Sequence, residues 1–365
     1  MRILHVIDQI SQKSAGGSAR VCYLLAREQV RQGHTVTIYT SDYLSKGESA
    51  PEGVDVVKFH SMGRLRFAPE MMFADFMHLD VMHFHNYRTI VNLIAAGVPW
   101  SRSNPPFILQ PHGSCNHLAA SSRGGKVANW VWQSLIRRAT WFIADAPNEA
   151  DQLAQEGASR ERTSVIPVGI DPDEFANLPT RKPTRNVVFL GRLHHIKGID
   201  LLIRAFALLN DRASTHFGNG TEQLWIIGPD EGEGVALRQL ADAMGIGHQV
   251  FFPGGMYGSD KVKHLQDAAV LVGMSRYETW GLSFLEALAC GTPVIMSEFC
   301  QMGKVLPDYC GMVVLFDAES CAKAIYAALD GKIPGTREQR QEWARGYGWP
   351  GIAKRIEKVY QEAIR

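Results

Sequence analysis

Two series of short apolar runs, separated by one proline-rich polar stretch, predict an α/β protein built from two doubly wound parallel-sheet domains. Three observations carry that prediction. The runs are continuously apolar rather than alternating, as strands covered on both faces are. Helical patterns stand between them, as parallel neighbours require. The alternation stops at Gly169 and restarts after a polar segment extending to about residue 186. In the first half the strand candidates are ILHVI, TVTIY, VDVVKF, VMHFH, PFILQ, WFIAD and SVIP, with a helix over 18–31 after the first. In the second half they are NVVFLG, QLWIIG, QVFFPG, AVLVGM, PVIMS and GMVVLF, with helices opening at Ile199, Val235, Lys261 and Leu282. The domains are therefore expected at 1–170 and 171–344, facing each other across a cleft where ligands bind at the carboxyl ends of strands. The terminal stretch holds Ile352, Ile356, Val359 and Tyr360 at helical spacing, a stripe that should pack on a domain surface.

Length and composition fit this reading. A chain of 365 residues exceeds what one compact core ordinarily supports. A formal net charge of +1, with 45% hydrophobic and 21% charged residues, argues against disorder and against nucleic acid as a partner. The six cysteines show no CxxC pair, so reduced thiols in a cytoplasmic enzyme are the simplest expectation. The apolar start is stopped by Asp8, too short for a signal-peptide core, and no run approaches the ~20 apolar residues of a membrane span.

The chemistry concentrates in SRYETWGLSFLEALACGTPVI, where Glu278 precedes a helix and Glu286 lies inside it. The first N–H groups of that helix, on Gly281, Leu282 and Ser283, suit an anion such as phosphate. Two carboxylates beside a phosphate are better placed to accept hydrogen bonds from sugar hydroxyls. A core helix with one surface and one solvated glutamate is the bland alternative. After strand NVVFLG, Arg192 and Lys197 stand at a carboxyl end just before a helix, a fork and a point charge that together suit a diphosphate. Gly16 and Gly17 precede the first helix and let the backbone approach a ligand. Without a third glycine, and without an acidic residue directly ending the second strand, they speak against a nicotinamide site. Met256 and Tyr257, in PGGMYGSDK, are the candidates nearest a nucleobase.

In order and spacing these elements resemble family 4 of the retaining GT-B glycosyltransferases, also described as glycosyl transferases group 1. The shared pattern is Gly16-Gly17, Gly191-Arg192 with Lys197-Gly198, and Glu278 to Glu286 followed by ALACGTPVI. The resemblance covers nearly the whole chain. It implies the GT-B fold, two Rossmann-like domains, with a nucleotide-diphospho-sugar bound mainly by the C-terminal one and the acceptor mainly by the N-terminal one. It further implies that a C-terminal helix of about 345–365 returns to the first domain. Arg192 and Lys197 would then take the diphosphate, Glu286 the ribose hydroxyls and Glu278 the sugar hydroxyls. Trp280, Gly281 and Leu282 would give backbone donors, and Gly17 would touch phosphate or sugar. His112, after PFILQ, matches the family's histidine, whose ring would meet the donor sugar's primary hydroxyl while its carbonyl faces the anomeric carbon. Val168 and Pro147 depart from the family's asparagine and serine, which puts hinge-side and acceptor contacts in doubt.

The implied activity is transfer of a hexose from a UDP- or GDP-linked donor to an acceptor hydroxyl of a carbohydrate or lipid-linked saccharide, with retention, in polysaccharide or glycolipid assembly. No residue offers a convincing nucleophile, which favours same-face attack over double displacement. No metal and no cofactor are expected, the donor being a substrate. Asp171-Pro-Asp173 falls in the polar linker and reads as a turn or cap. His83 with His85, and His194 with His195, lack the carboxylate or cysteine partners of a metal site. An epimerase or phosphorylase of the same architecture is the rival reading, with an NAD-dependent oxidoreductase behind it. Relatives that use lipid-linked acceptors prompt a further hypothesis, peripheral docking at the inner face of the membrane through Arg64, Arg66 and the helix within 125–141. Absence of co-sedimentation with anionic vesicles would count against it.

Overall fold

The computed structural model describes residues 1–10, 17–42, 49–63, 67–97, 105–115, 125–176, 178–179, 184–216 and 222–365. Two compact units emerge, one of Met1–Gly169 with Trp349–Arg365 and the other of Ile170–Gly348.

The first unit runs β1 (Arg2–Val6), α1 (Gly17–Arg31), β2 (Thr35–Ser41), β3 (Asp55–Phe59), β4 (Val81–His85), α2 (Ile90–Gly97), β5 (Phe107–Gln110), α3 (Gly125–Arg138), β6 (Trp141–Ala144), α4 (Pro147–Gln155) and β7 (Thr163–Val165). The strands form one sheet in the order β3-β2-β1-β4-β5-β6-β7, every pairing parallel. The order reverses between β1 and β4. That is the switch point, where helices leave for opposite faces and open a crevice at the carboxyl ends. Leu4, Val6, Phe84, Leu109 and Phe142 belong to the core on one face. Helix α1 is buried on more than one face: Val21, Leu24 and Leu25 are buried as well as Ala19, Cys22, Tyr23 and Ala26. It stops in a Schellman pattern: Gly33, at φ 88°, donates to the Val30 carbonyl and His34 to that of Gln29.

Near the start of the second unit, the Asp171 side chain accepts from the Asp173 N–H and caps a short 3-10 turn, Pro172–Phe175. It continues through β8 (Asn186–Leu190), α5 (Ile199–His216), β9 (Gln223–Ile227), α6 (Gly234–Ala243), β10 (Val250–Gly254), α7 (Gly258–Asp267), β11 (Ala268–Gly273), α8 (Leu282–Ala289), β12 (Val294–Ser297), β13 (Gly311–Val314), α9 (Ala318–Leu329) and α10 (Arg337–Arg345). Its sheet, β10-β9-β8-β11-β12-β13, is again wholly parallel and reverses between β8 and β11. Val187, Phe189, Ile203, Phe206, Val270 and Val272 lie in its core.

The last helix, α11 (Trp349–Ile364), belongs to the first unit and packs on α1. Ile352, Ala353, Ile356, Val359 and Tyr360 are its buried stripe. All six cysteines are free and buried. Among the described residues, no helix is long and apolar enough to cross a membrane.

Candidate functional site

In the second unit, Lys197 follows β8 and Glu278 follows β11, so the two stand on either side of the switch point. Lys197 Nζ lies 2.5 Å from Glu278 Oε2, with both side chains partly exposed. Their approach depends on Gly198, which takes a left-handed φ of 62° and lies so close to β11 that a Cβ would stand 1.7 Å from the Met274 carbonyl oxygen. Only glycine fits there. Ser275 Oγ reaches the same Glu278 oxygen at 3.5 Å.

Helix α8 starts beside this pair. Gly281 is its N-cap at φ 85°, and a Cβ there would lie 3.3 Å from Glu278 Cγ and 2.5 Å from Phe284. The fold thus brings a cation, a carboxylate and the first amides of a helix to one place. Among the described residues, the N–H groups of Gly281, Leu282 and Ser283 have no partner within the protein. Trp280 is buried with its ring 5.3 Å from that of Tyr347.

Glu286 lies one turn into α8 and is buried. One of its oxygens accepts from Lys261 Nζ at 2.8 Å, and the same ammonium reaches Glu174 at 2.9 Å. Lys261 sits in α7 with 4% of its side chain exposed. Nothing in the sequence selects it, because the contact joins three segments far apart in the chain. Arg192 is turned toward Glu231, 2.6 Å away, so its fork is aimed at the β9 side rather than at the Lys197–Glu278 pair. Met256 and Tyr257 stand just before α7, with Tyr257 exposed and its hydroxyl against Gly255.

In the first unit Gly17 is the exposed first residue of α1. Gly16, Arg64 and Arg66 lie outside the described residues. Trp130, on α3, is 66% exposed. His112 takes a left-handed φ of 53°, uncommon for a side chain with a Cβ. Its ring is engaged inside the protein on both sides: Nδ1 is 3.0 Å from Asp145 Oδ2 and Nε2 is 3.0 Å from His85 Nδ1. The ring's expected contact with a sugar hydroxyl therefore finds no unoccupied nitrogen in this structure. Glu149, at the start of α4, receives the N–H groups of Asp145 and Gly113. Burial, and then the neighbouring Asp145, push its carboxyl up to about 8.

The histidines also meet the cysteine that was not apparent from their spacing: His5, Cys22 and His85 place ligand-type atoms within 4.8 Å of one another. They do not fit an ion as they stand. Two nitrogens on one tetrahedral zinc, each at ~2.0–2.1 Å, are about 3.3 Å apart. Here His5 Nδ1 and His85 Nε2 are 2.9 Å apart, a hydrogen-bond separation. Burial pushes the Cys22 thiol up, away from the thiolate a metal needs.

Residues 171–346 match a family model described as glycosyl transferases group 1, and residues 15–174 one described as glycosyltransferase family 4. Among relatives, D-inositol 3-phosphate glycosyltransferase 1 of Catenulispora acidiphila is 29% identical over 310 residues, spanning 78% of this chain and 72% of that protein. The GDP-mannose:cellobiosyl-diphosphopolyprenol alpha-mannosyltransferase of Xanthomonas campestris is 25% identical over 384 residues, spanning 100% of this chain and 97% of that protein. Of solved structures, a sucrose-phosphate synthase from Thermosynechococcus elongatus superposes with a TM-score of 0.78 at 21% identity, covering 99% of this chain and 98% of its own. Anabaena HepE in complex with UDP and glucose gives 0.77 at 19%, covering 99% and 100%. With two parallel α/β units, these likenesses identify the fold as GT-B.

Proposed function

The chain belongs to glycosyltransferase family 4, the glycosyl transferases group 1, and from that premise we propose that it moves a hexose from a UDP- or GDP-linked donor to an acceptor hydroxyl with retention of configuration. The observation that carries the proposal is the Lys197–Glu278 contact at the start of α8, on the switch point of the second unit. Charge develops on the leaving diphosphate as the glycosidic bond breaks. A lysine and oriented amides aimed at that oxygen stabilise the transition state more than the bound donor. In this reading, Lys197 exchanges Glu278 for phosphate, and Glu278 turns to the sugar hydroxyls. Arg192 likewise leaves Glu231 for the diphosphate. Glu286, held in place by Lys261, accepts from the ribose.

Relatives and structural neighbours support a nucleotide-sugar donor. One relative is named for GDP-mannose and a diphosphopolyprenol-linked acceptor, and one neighbour is seen with UDP and glucose. We place this chain in polysaccharide or glycolipid assembly on that basis, with the donor as substrate and no cofactor. The cationic groups and helix amides make a metal unnecessary for the leaving group. Turnover of a nucleotide-sugar with excess EDTA tests this. Activity should be retained in full, and Lys197→Ala should lower kcat by roughly 100-fold, the loss typical of one preorganised donor. Reversible abolition by EDTA would overturn the metal-free reading.

A further inference from the structure

A chain of buried hydrogen bonds runs along the carboxyl edge of the first sheet, and its protons can be counted. It starts at Asp145, after β6, and passes to His112, after β5, at 3.0 Å. From His112 it passes to His85, the last residue of β4, at 3.0 Å, and on to His5 in β1 at 2.9 Å. His5 Nε2 then lies 2.7 Å from Gln29 Oε1 on α1. Gln29 Nε2 in turn donates to the Tyr360 hydroxyl on α11 at 3.2 Å, and that oxygen is 2.6 Å from His83 Nδ1. Asp145, His85, His5 and Gln29 are all buried.

Both ends of the three-histidine run are acceptors: a carboxylate oxygen at Asp145 and an amide oxygen at Gln29. Between them lie four contacts, each needing one proton. Three neutral imidazoles carry one N–H apiece and fall one short. The deficit closes in one of three ways: one ring holds a second proton, Asp145 is a neutral acid donating to His112, or the Gln29 amide turns over and offers its nitrogen to His5.

Asp145 decides between them. Its side chain is bonded to Gln110 and His112, and among the described residues no lysine or arginine pairs with it. A buried carboxylate without a counter-charge is unfavourable, and because imidazole is ordinarily a stronger base than a carboxylate, the proton that relieves it sits on the adjoining ring rather than on Asp145. Glu149, the other carboxyl here, is pushed up to about 8 and adds little charge near neutrality. His5 and His85 are poor seats for the cation, since burial holds His5 down to about 4 and His85 well below the ordinary histidine value. His83 is excluded for the same reason and lies beyond Tyr360 in the chain.

We propose that His112 is a buried imidazolium, paired with Asp145 and donating to His85, and that Asp145, His85 and His5 are positioning residues that hold it. The ring so fixed pins the left-handed backbone of His112, a conformation that persists only when surrounding contacts overdetermine it. The consequence for turnover rests on the reading of the chain as a glycosyltransferase that uses His112.

The test is a proton count on the intact protein labelled with 15N-histidine, the rings being assigned by single substitutions at His5 and His85. Long-range proton–nitrogen spectra near pH 7 should show four N–H protons on the three rings, two of them on His112. Three protons, one per ring, would overturn the proposal and leave a neutral Asp145 or a reversed Gln29 amide to complete the count. In Asp145→Asn the carboxylate charge is gone while an acceptor oxygen remains, so His112 should revert to one N–H; a retained second proton would contradict the pairing. If that variant does not fold, the count on the wild type decides alone. Kinetics separate the two layers: Asp145→Asn should lower kcat by roughly tenfold with donor KM unchanged. Four protons with unaltered kcat keep the imidazolium and remove His112 from the reaction.

Discussion

Lys261 is a single buried ammonium facing two carboxylates, Glu286 at 2.8 Å and Glu174 at 2.9 Å. Glu286 is buried beside it. Replacing Lys261 with Met keeps the aliphatic stem but removes the ammonium that stands between Glu286 and Glu174. The variant should lose about 3–5 kcal/mol of stability, as broken buried pairs do, measured by denaturant unfolding. It should also bind nucleoside diphosphate more weakly, because the Glu286 carboxylate is no longer held in place. At this scale the sequence was partly legible. Lys197, Glu278 and Gly281 stand close to one another because strand–turn–helix spacing places them at carboxyl ends. Lys261 and Asp145 were not legible: each meets its partner only through tertiary packing, and a lone lysine or aspartate in a helical or strand-end pattern carries no local signal. The partners of the His112 ring were not legible for the same reason, since His85 and Asp145 come from other strands.

At the scale of elements, continuous apolar runs identified the strands of both sheets, and the parallel pairing followed from the helical patterns between them. The helices were less uniformly visible. Helix α8 announces itself through Gly281 and Gly291, both at positive φ, around a compact apolar run. Helices α9 and α10 were not drawn out by hydrophobic periodicity. Their sequence signal lay in the caps: Asp317 receives the Ser320 N–H, and Thr336 forms a capping box with Gln339. Helix α10 is strongly polar, with Arg340 and Ala344 as its buried residues, so an apolar stripe was never available to find it. The start of α1 shows another limit. Two glycines before a helix allow close approach by a ligand, yet Gly17 meets nothing within 4 Å of its would-be Cβ, so packing alone does not demand glycine there.

For the whole molecule, the buried histidines set a pH dependence whose sign can be worked out. His5 is held at about 4 by burial, and His83 and His85 well below 6.5 by burial and by one another. In the unfolded chain all three take protons near 6.5, so below that pH the unfolded state binds more protons and stability falls as pH falls. Glu149 acts oppositely: folded it keeps its proton to about 8, unfolded to 4.5, so stability also falls as pH rises between those values. From 6.5 down to 4.5 three histidines oppose one glutamate. The histidines outnumber it, so acid lowers stability on balance. Unfolding midpoints should therefore peak near pH 6.5, and His83→Phe should flatten the acid limb; an acid limb as steep in that variant would refute the assignment. Nothing in the linear sequence foretold this, because His5, His83 and His85 become one cluster only when β1 and β4 pair.

The central claim is that Lys197, Glu286 and the start of α8 hold a nucleoside diphosphate. Isothermal titration of UDP and of GDP into the wild type, Lys197→Ala and Glu286→Ala tests it most directly. At least one of the two should bind the wild type, and binding should weaken roughly tenfold or more in each variant, as loss of a charge-assisted hydrogen bond requires. Equal affinity in all three proteins, or no binding of either nucleotide by the wild type, would contradict it.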